Sequence, residues 1–383
     1  MSSPLEKRRR LLFLTGTRAD FGKLKPLIRA VQHLNDFDVQ LFVTGMHLDA
    51  NYGYTVLEIE RSGFSNLHRY VNSSVGDTMD IVLSKTIDGL SRFAGSWKPD
   101  LLVVHGDRVE ALAGAIVGSL NNVLVGHIEG GEVSGTVDDL LRHAITKLSH
   151  IHFVSNEKAQ RRLLQMGESP QSIHQIGSPE RDIMTSSSLP SLNQVVNYYD
   201  ICFQEYAVLI FHPVTTELDT LREHTVNLVD AVLEAKTNII AVMPNNDSGC
   251  GIVRDIFLSR FSDNPFIRLY PSLRFEYYLV LLKNSQFIIG NSSSGVREAP
   301  FFGIPSINIG TRQRQRSGAR SIIDTGYGKA DIMEAIKQIR SFSRSIANTD
   351  IEFGDGRSSE RFVEIIKSPQ LWLSPKQKTF VDQ

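Results

Sequence analysis

Short, continuous apolar runs alternate along this chain with longer segments of helical periodicity, and the whole alternation occurs twice. Apolar runs of this kind are typical of parallel strands, because helices cover both faces of a parallel sheet. The sequence therefore predicts an α/β fold with two doubly wound, Rossmann-like parallel sheets in tandem. The predicted strands are residues 11–14, 39–43, 101–104, 123–125, 151–154, 207–211, 239–243, 266–269, 287–289 and 306–309.

A length of 383 residues suits two domains better than one hydrophobic core. The polar segment 185–194, which contains Pro190, is the best candidate for a linker between them. We therefore predict an N-terminal domain at 1–188 and a C-terminal domain at 189–383, with C-terminal helices able to pack back on the first domain. Ligands of such sheets bind beyond the carboxyl ends of the strands, so we expect an interdomain active-site cleft.

Composition excludes several classes of protein. The formal net charge is -1, so no global positive field would attract nucleic acid or a membrane surface. The two cysteines are too few for a disulfide framework or a multi-cysteine metal site. The basic run 7–10 precedes only four apolar residues, which is too short for a signal peptide, and no run is long enough to span a membrane. We expect a soluble, cytoplasmic protein.

Polar clusters follow the predicted strands directly. The sequences GTRAD, HGDRVEA and GHIEGGE follow strands of the first half, and HPVTTE, PNNDSG and GNSSSGVREAP follow strands of the second half. Because the carboxyl ends of parallel strands lie at one edge of a sheet, this shared position predicts that the clusters line one site.

Three of these clusters favour phosphate binding. GTRAD enters a helix through a glycine turn and carries Arg18, while GNSSSGVREAP places Ser292, Ser293 and Ser294 at a helix start. Backbone N–H groups at a helix start, serine hydroxyls and a guanidinium all bind anions. An ordinary strand–helix turn or an N-capped helix would use the same residues. His212 in HPVTTE has the chemistry of a cationic phosphate partner or a general acid, although a structural histidine is the alternative.

The remaining clusters supply carboxylates. Asp107 and Glu129 end two buried strands of the first half, and Glu132 follows closely. Crowded carboxylates shift one another's pKa, which is suited to general acid–base chemistry. Asp138 and Asp139 begin a predicted helix, where aspartates are also favoured for structural reasons. The spacing does not indicate a metal site.

Five of these motifs, in this order, resemble the UDP-N-acetylglucosamine 2-epimerases, in particular their hydrolysing branch, which supplies sialic acid and related pathways. The motifs are GTRAD, HGDRVEA, GHIEGGE, HPVTTE and GNSSSGVREAP, and the likeness extends over roughly residues 11–366. The resemblance implies the GT-B fold and a UDP-sugar substrate. It implies release of UDP with inversion at C2, giving free N-acetylmannosamine, without a metal or other cofactor. It also implies a homodimer or homotetramer.

The resemblance also implies roles for individual residues. Asp107, Glu129 and Asp138 match the family's catalytic carboxylates, although the shorter stretch SGTVDD leaves Asp139 as an alternative to Asp138. On this interpretation Glu129 is uncovered because the sugar covers it, and Gly130 and Gly131 leave room for that sugar. His212 matches the histidine near the diphosphate and counts among the catalytic and the UDP-binding residues. The other expected UDP contacts are Arg18, Ser292, Ser293, Ser294, Gly295 and Glu298, of which Glu298 would bind the ribose.

Three other functions stay open at this level. The same chemistry could act on UDP-N,N'-diacetylbacillosamine, which differs from UDP-N-acetylglucosamine at C4 and C6 of the sugar. The loops 46–55 and 244–249 are candidates for reading those positions. A GT-B glycosyltransferase or a non-catalytic UDP-sugar sensor would use the same UDP site, but neither needs three acid–base carboxylates.

Overall fold

The computed structural model describes residues 8–74, 76–134, 137–314, 316–342, 352–379 and 381. The chain forms two compact units. Unit 1 comprises Met1–Glu132, Asp138–Ser186 and Glu352–Gln383, and unit 2 comprises Val133–Val137 and Ser187–Ile351. The last segment of the chain thus belongs to the same unit as its beginning.

Unit 1 is built on a seven-stranded sheet in which every pair of neighbouring strands is parallel. The strand order is β3-β2-β1-β4-β5-β6-β7. The strands are β1 (Arg9–Thr15), β2 (Phe37–Val43), β3 (Leu67–Arg69), β4 (Leu101–His105), β5 (Leu124–Ile128), β6 (Ile151–Val154) and β7 (Ile173–Gln175).

Helices cover both faces of this sheet, which explains why its strands are apolar throughout. Leu11 and Phe13 of β1 pack on one face, and Leu12 and Leu14 pack on the other. The helices of unit 1 are α1 (Arg18–Val31), α2 (Val56–Arg61), α3 (Met79–Trp97), α4 (Val109–Leu120), α5 (Val137–Leu148), α6 (Glu157–Gln165), α7 (Glu180–Met184), α14 (Ser358–Lys367) and α15 (Pro369–Trp372).

Unit 2 contains a six-stranded parallel sheet of order β10-β9-β8-β11-β12-β13 with its own apolar core. Its strands are β8 (Ala207–Ile210), β9 (Ile239–Val242), β10 (Ile267–Tyr270), β11 (Ile288–Gly290), β12 (Ser306–Ile309) and β13 (Ile322–Thr325). Its helices are α8 (Leu192–Tyr198), α9 (Leu221–Ala235), α10 (Cys250–Phe261), α11 (Phe275–Asn284), α12 (Glu298–Phe302) and α13 (Lys329–Arg340).

The prediction of two doubly wound parallel sheets is confirmed, and all ten predicted strands are present within one to three residues at each end. Three further strands were not predicted from the sequence: β3, β7 and β13, which lie at edges of the two sheets and span only three or four residues. The segment 185–194, predicted as a linker, is partly helical, because Ser191 caps α8 by accepting a hydrogen bond from the backbone N–H of Gln194.

No helix among the described residues combines the length and the apolar composition that crossing a bilayer requires.

Candidate active site

Two of the predicted carboxylates lie at the carboxyl edge of the unit 1 sheet. Asp107 follows β4 and Glu129 follows β5, and these strands are paired in parallel from Leu101 opposite Leu124 to His105 opposite Ile128. The register places the ends of both strands side by side. The structure therefore brings Asp107 and Glu129 to the same edge, as the motifs predict.

Arg142 on α5 connects the carboxylates around Asp107. Its side chain is only 3% exposed, and its guanidinium donates a hydrogen bond to the Asp107 carboxylate. Nη1 lies 3.3 Å from the backbone oxygen of Glu132 and 3.6 Å from Oδ1 of Asp139. Burial disfavours the charged guanidinium, but the charges of Asp107, Glu132 and other acidic neighbours outweigh it and raise the pKa of Arg142.

The two aspartates at the start of α5 differ in their contacts. Asp139 lies 3.6 Å from Arg142 and 3.5 Å from Nε2 of His143, both on the same helix. Asp138 acts on Arg142 through its charge. Both aspartates are partly exposed, in the first turn of α5, where the helix dipole favours negative charge.

Glu129 lies in a buried cluster of charged and polar groups. Its Oε2 is 3.3 Å from Nζ of Lys23 and 3.3 Å from Nε2 of His105. Its Oε1 accepts a hydrogen bond from Ser178, whose hydroxyl is also within hydrogen-bond distance of Glu180. The same Lys23 ammonium lies 3.7 Å from Glu180. The Ser178 hydroxyl and the Lys23 ammonium are therefore shared between the carboxylates of Glu129 and Glu180.

The backbone at Glu129 is unusual as well. Its φ is 64°, a left-handed conformation that is uncommon for residues other than glycine. Strained backbone of this kind is found preferentially at functional sites, where the surrounding structure holds it in place. Glu129 is also 5% exposed, so the carboxylate is fixed in position and largely shielded from water.

The twin glycines after Glu129 correct one interpretation of the motif. The sequence suggests an uncovered carboxylate beside glycines that leave room for a ligand. Instead, a Cβ on Gly130 would lie 2.9 Å from Nδ1 of His127, and one on Gly131 would lie 2.4 Å from the backbone oxygen of Ala159. The glycines allow close packing within unit 1, and protein groups cover Glu129.

Arg18 begins α1 at the carboxyl end of β1. Thr17 and Asp20 form a capping box, with the Thr17 side chain accepting a hydrogen bond from the Asp20 backbone N–H. The Arg18 guanidinium lies 2.5 Å from Oε1 of Glu58 on α2. Arg18 is therefore held in an ion pair at the position where a phosphate contact is predicted.

In unit 2, neighbouring elements fix His212 after β8. Its backbone N–H donates to Oδ1 of Asn291 at 2.7 Å, and its carbonyl accepts from the same side chain at 2.8 Å. The backbone N–H of Asn245 donates to Nδ1 of His212 at 3.1 Å. Nδ1 is therefore an acceptor, so the neutral imidazole carries its proton on Nε2 and can donate from there.

The predicted serines follow β11, the strand paired with β8. Gly290, with φ of 132°, ends that strand so close to β8 that a Cβ would lie 1.9 Å from the Ile210 oxygen. Ser292 caps a short 3-10 helix, Ser293–Gly295, by accepting a hydrogen bond from the Ser294 N–H. His212 and the segment 292–295 therefore follow the two paired strands β8 and β11.

Tyr278 orients one of these serines. Its hydroxyl donates to Oγ of Ser294 at 2.5 Å, and burial together with the charge of Glu298 raises the pKa of Tyr278. Because Tyr278 stays protonated, Ser294 Oγ accepts a hydrogen bond from it and directs its own O–H elsewhere. Glu298 is 4% exposed and begins α12.

The two loops predicted to contact C4 and C6 of the sugar, 46–55 and 244–249, contain polar side chains held by hydrogen bonds. His47 in the loop 46–55 is buried between Thr15 and Thr55, at 3.0 and 2.6 Å from their hydroxyl oxygens. In 244–249, the Asn245 amide donates to Asp247 at 2.5 Å. Their contact with substrate stays a prediction.

Several residues of these clusters carried no signal in the sequence. Arg142 lies inside an ordinary amphipathic helix, and Lys23 lies within α1, so neither stands out from its neighbours. Ser178 and Glu180 follow β7, which was too short to be recognised. In unit 2, Arg312 donates to the Asn291 oxygen at 3.3 Å, and the basic residues after β12 were a signal that could have been used.

Across the described ranges, no three or more His, Cys, Asp or Glu side chains are grouped in a way that would hold a metal ion.

Known proteins resemble this chain over nearly its whole length. The family model of UDP-N-acetylglucosamine 2-epimerases matches residues 29–367. A UDP-N-acetylglucosamine 2-epimerase of Neisseria meningitidis serogroup B is 48% identical, covering 98% of this chain and 99% of that protein. A UDP-N,N'-diacetylbacillosamine 2-epimerase (hydrolyzing) of Legionella pneumophila is 34% identical over 94% of this chain and 96% of its own length.

Solved structures agree on the fold. The Methanocaldococcus jannaschii UDP-GlcNAc 2-epimerase in complex with UDP-GlcNAc and UDP has a TM-score of 0.78 and 23% identity, covering 93% of this chain and 99% of that one. The predicted fold class, two Rossmann-like parallel-sheet domains of GT-B type, is therefore confirmed. Together with the sequence matches, this likeness establishes that the chain belongs to the UDP-N-acetylglucosamine 2-epimerases, a family of enzymes.

Proposed function

We propose that this enzyme is a hydrolysing UDP-N-acetylglucosamine 2-epimerase, which converts UDP-N-acetylglucosamine and water into UDP and N-acetylmannosamine. The observation that carries the proposal is the pairing of the partly exposed Asp107 and the buried Glu129 with buried cations at the ends of β4 and β5, in a chain 48% identical to a UDP-N-acetylglucosamine 2-epimerase. Fixed acid–base groups of this kind suit an enzyme that moves protons at carbon.

The chemistry requires two steps. No carbonyl group makes the C2 proton acidic, so the C1–O bond must break as a base removes that proton. UDP leaves with the C1–O electron pair in an anti elimination, and the C–H electrons form the C1=C2 bond of 2-acetamidoglucal. Water then adds: hydroxide goes to C1, and a proton goes to C2 on the face opposite to the one from which the first proton was removed. This balance gives free N-acetylmannosamine and UDP.

Inversion at C2 requires proton transfer on both faces of the sugar ring. We propose that Asp107, Glu129 and Asp138 supply these groups, with Asp139 as the alternative to Asp138. The Arg142 guanidinium and the Lys23 ammonium lie against Asp107 and Glu129 respectively. These cations hold the carboxylates in fixed orientations, which is the condition for efficient proton transfer. Which carboxylate is the base and which the acid stays open.

We propose that the UDP group binds to unit 2. His212, oriented by the Asn245 N–H, would donate from Nε2 to the diphosphate and stabilise the charge that gathers there as the bond breaks. Donors from the segment after β11 would bind the phosphates, and Glu298 would accept hydrogen bonds from the ribose hydroxyls. Arg18 would add a cationic contact, exchanging part of its ion pair with Glu58. The segment after β11 contributes Ser292, Ser293, Ser294 and Gly295.

A second candidate substrate is UDP-N,N'-diacetylbacillosamine, on which the same steps would give 2,4-diacetamido-2,4,6-trideoxymannose. The 34% identical Legionella relative, which bears that substrate's name, favours it. The higher identity to the Neisseria relative, 48%, favours N-acetylglucosamine as the first choice. The product would then enter sialic acid biosynthesis, or legionaminic acid biosynthesis for the second substrate.

Other parts of the proposal stay predictions. They are a cytoplasmic location, a homodimer or homotetramer, a reaction without metal or other cofactor, and a cleft in which one substrate meets the residues of both units. Mass measurement in solution tests the assembly directly, because a monomeric mass of about 42.8 kDa would refute it.

The function is tested by incubating the protein with each UDP-sugar and following the products by proton and phosphorus NMR. We expect UDP and N-acetylmannosamine from UDP-N-acetylglucosamine. Intact UDP-N-acetylmannosamine would contradict the hydrolysing reaction, and turnover of the diacetamido sugar alone would identify the second candidate. Sugar transfer to an added acceptor would indicate a glycosyltransferase, and UDP binding with no turnover of either substrate would indicate a sensor.

A further inference from the structure

Glu110 is a buried carboxylate at the carboxyl edge of the unit 1 sheet to which no role has been given. It lies in the first turn of α4, directly after β4, and the residue is 2% exposed. The Nε atom of Arg108 lies 3.5 Å from Oε2 of Glu110. Arg108 and the amino end of α4 both favour a negative charge here.

The hydrogen-bonding capacity of Glu110 is unused. Within the part of the chain that the structure describes, neither Oε1 nor Oε2 has a hydrogen-bond partner. Buried polar groups are almost always hydrogen-bonded, because an unmet acceptor loses its hydration without compensation. Glu110 has an ion-pair contact with Arg108 but no hydrogen bond from the described residues, which indicates a group at the predicted substrate edge that receives its hydrogen-bond donors from a ligand.

Two glycines make room for this carboxylate. Gly16 follows β1 and Gly45 follows β2, and both adjoin the Glu110 side chain. A Cβ on Gly45 would lie 2.8 Å from Oε1, and a Cβ on Gly16 would lie 3.1 Å from the Glu110 carboxyl carbon. The acceptor is thus placed among the carboxyl ends of three strands, β1, β2 and β4, where ligands of such sheets bind.

We propose that Glu110 accepts a hydrogen bond from the C4 or C6 hydroxyl of the substrate sugar and so selects for N-acetylglucosamine. The inference rests on the proposed function, which places UDP on unit 2 and the sugar on unit 1. A carboxylate repels the diphosphate, so the part of the substrate that suits Glu110 is the one carrying hydroxyl donors. The diacetamido sugar lacks both of these hydroxyls.

The test compares UDP-N-acetylglucosamine with its 4-deoxy and 6-deoxy analogues. For the wild-type enzyme, kcat/KM should fall roughly 10- to 100-fold for the analogue that lacks the donor, the usual effect of losing a hydrogen bond to a charged group. Glu110→Gln and Glu110→Met should react more slowly with the natural substrate. They should lose most of the discrimination against that one analogue, because the charged acceptor is gone.

Glu168→Gln is the matched control. Glu168 is another buried carboxylate of unit 1, but it is bonded to His152, Lys147 and Lys378. Its variant should keep the wild-type discrimination even if its stability falls. Unchanged discrimination against both analogues in Glu110→Gln and Glu110→Met would overturn the inference, provided that both variants melt cooperatively. A wild-type enzyme that does not turn over UDP-N-acetylglucosamine would instead refute the proposed function.

Discussion

The carboxyl edges of the two sheets are built from different chemistry. In unit 1 the side chains are ionisable and paired with cations, as in Glu129 with Lys23 and Asp107 with Arg142. In unit 2 the groups around Ser294 are mainly uncharged donors fixed by neighbouring hydrogen bonds, with Arg312 beside them. Paired ionisable groups suit proton transfer, and fixed donors suit an anion. The comparison teaches that one fold, used twice, presents two different kinds of chemistry at the carboxyl edges of its sheets.

The largest expected effect tests the chemical task of unit 1. Glu129→Gln should lower kcat by about 10²- to 10⁴-fold, the usual contribution of a general acid or base, while the Kd for UDP stays within about twofold. Calorimetric UDP titration and turnover assays measure the two quantities separately. Glu132→Gln is the control, because its amide oxygen can still accept from Ser155. Turnover of Glu129→Gln at the wild-type rate would contradict the assignment.

The next prediction concerns the Arg142 pair. Losing one partner of a fully buried pair costs about 3–5 kcal/mol, and the 27% exposure of the Asp107 side chain places the expected loss for Arg142→Met toward the lower end. Both tryptophans, Trp97 and Trp372, belong to unit 1, so their fluorescence in denaturant reports this unit selectively.

The matched control for Arg142→Met is Arg92→Met, which breaks an exposed pair with Asp88 on α3 and should leave the unfolding transition unchanged. If the two substitutions changed the free energy of unfolding equally, the buried ion pair of Arg142 with Asp107 would not stabilise unit 1. A loss of UDP affinity in Arg142→Met that exceeds its loss of stability would break the division of tasks between the units.

A smaller effect is expected in unit 2. Tyr278→Phe removes the donor that orients Ser294, so the Kd for UDP should rise about 2- to 10-fold, corresponding to one neutral hydrogen bond. Tyr206→Phe is the matched control, since this buried tyrosine bonds the Leu281 oxygen. If Tyr278→Phe changed the tryptophan unfolding transition of unit 1 and left UDP affinity unaltered, the assignment of unit 2 to UDP binding would lose this support.

The last prediction concerns the pH dependence of the stability of unit 1. Burial lowers the pKa of His127 and of His47 from 6.5 to about 3. Between these values the unfolded chain binds protons that the folded chain does not, so the free energy of unfolding should fall as pH falls from about 6.5. Glu168, with its pKa lowered to about 2, adds a further loss only below about pH 4.5.

Tryptophan fluorescence in denaturant between pH 7 and pH 5 measures this dependence. His127→Gln should reduce the slope of the free energy of unfolding against pH by the equivalent of about one proton, because one buried neutral imidazole is removed. A free energy of unfolding that is constant or rises on acidification would contradict the buried neutral histidines.

The sequence predicted most of the fold, since continuous apolar runs report strands that are buried on both faces. It failed for β3, β7 and β13, whose three or four residues give too little pattern. It predicted that Asp107 and Glu129 lie at the ends of strands, and the structure confirms that position. It could not identify their partners Arg142 and Ser178, which are distant in sequence and meet them only through folding.

The prediction from Gly130 and Gly131 was wrong for a different reason. Gly130 and Gly131 suggested open space for a ligand, whereas the structure fills that space with His127 and α6. A glycine marks close approach of some group, but the sequence alone does not say whether that group is protein or substrate. Gly16 and Gly45, which adjoin Glu110, present the same question with the opposite proposed answer.

The most direct test of the account is the reaction of the wild-type enzyme with UDP-N-acetylglucosamine in deuterated water, followed by proton NMR. Acid–base groups of unit 1 that act on opposite faces of C2 would deliver a solvent proton, so the account predicts UDP and N-acetylmannosamine carrying deuterium at C2. N-acetylmannosamine that retains its original hydrogen at C2, or a product in which UDP stays attached to the sugar, would contradict it.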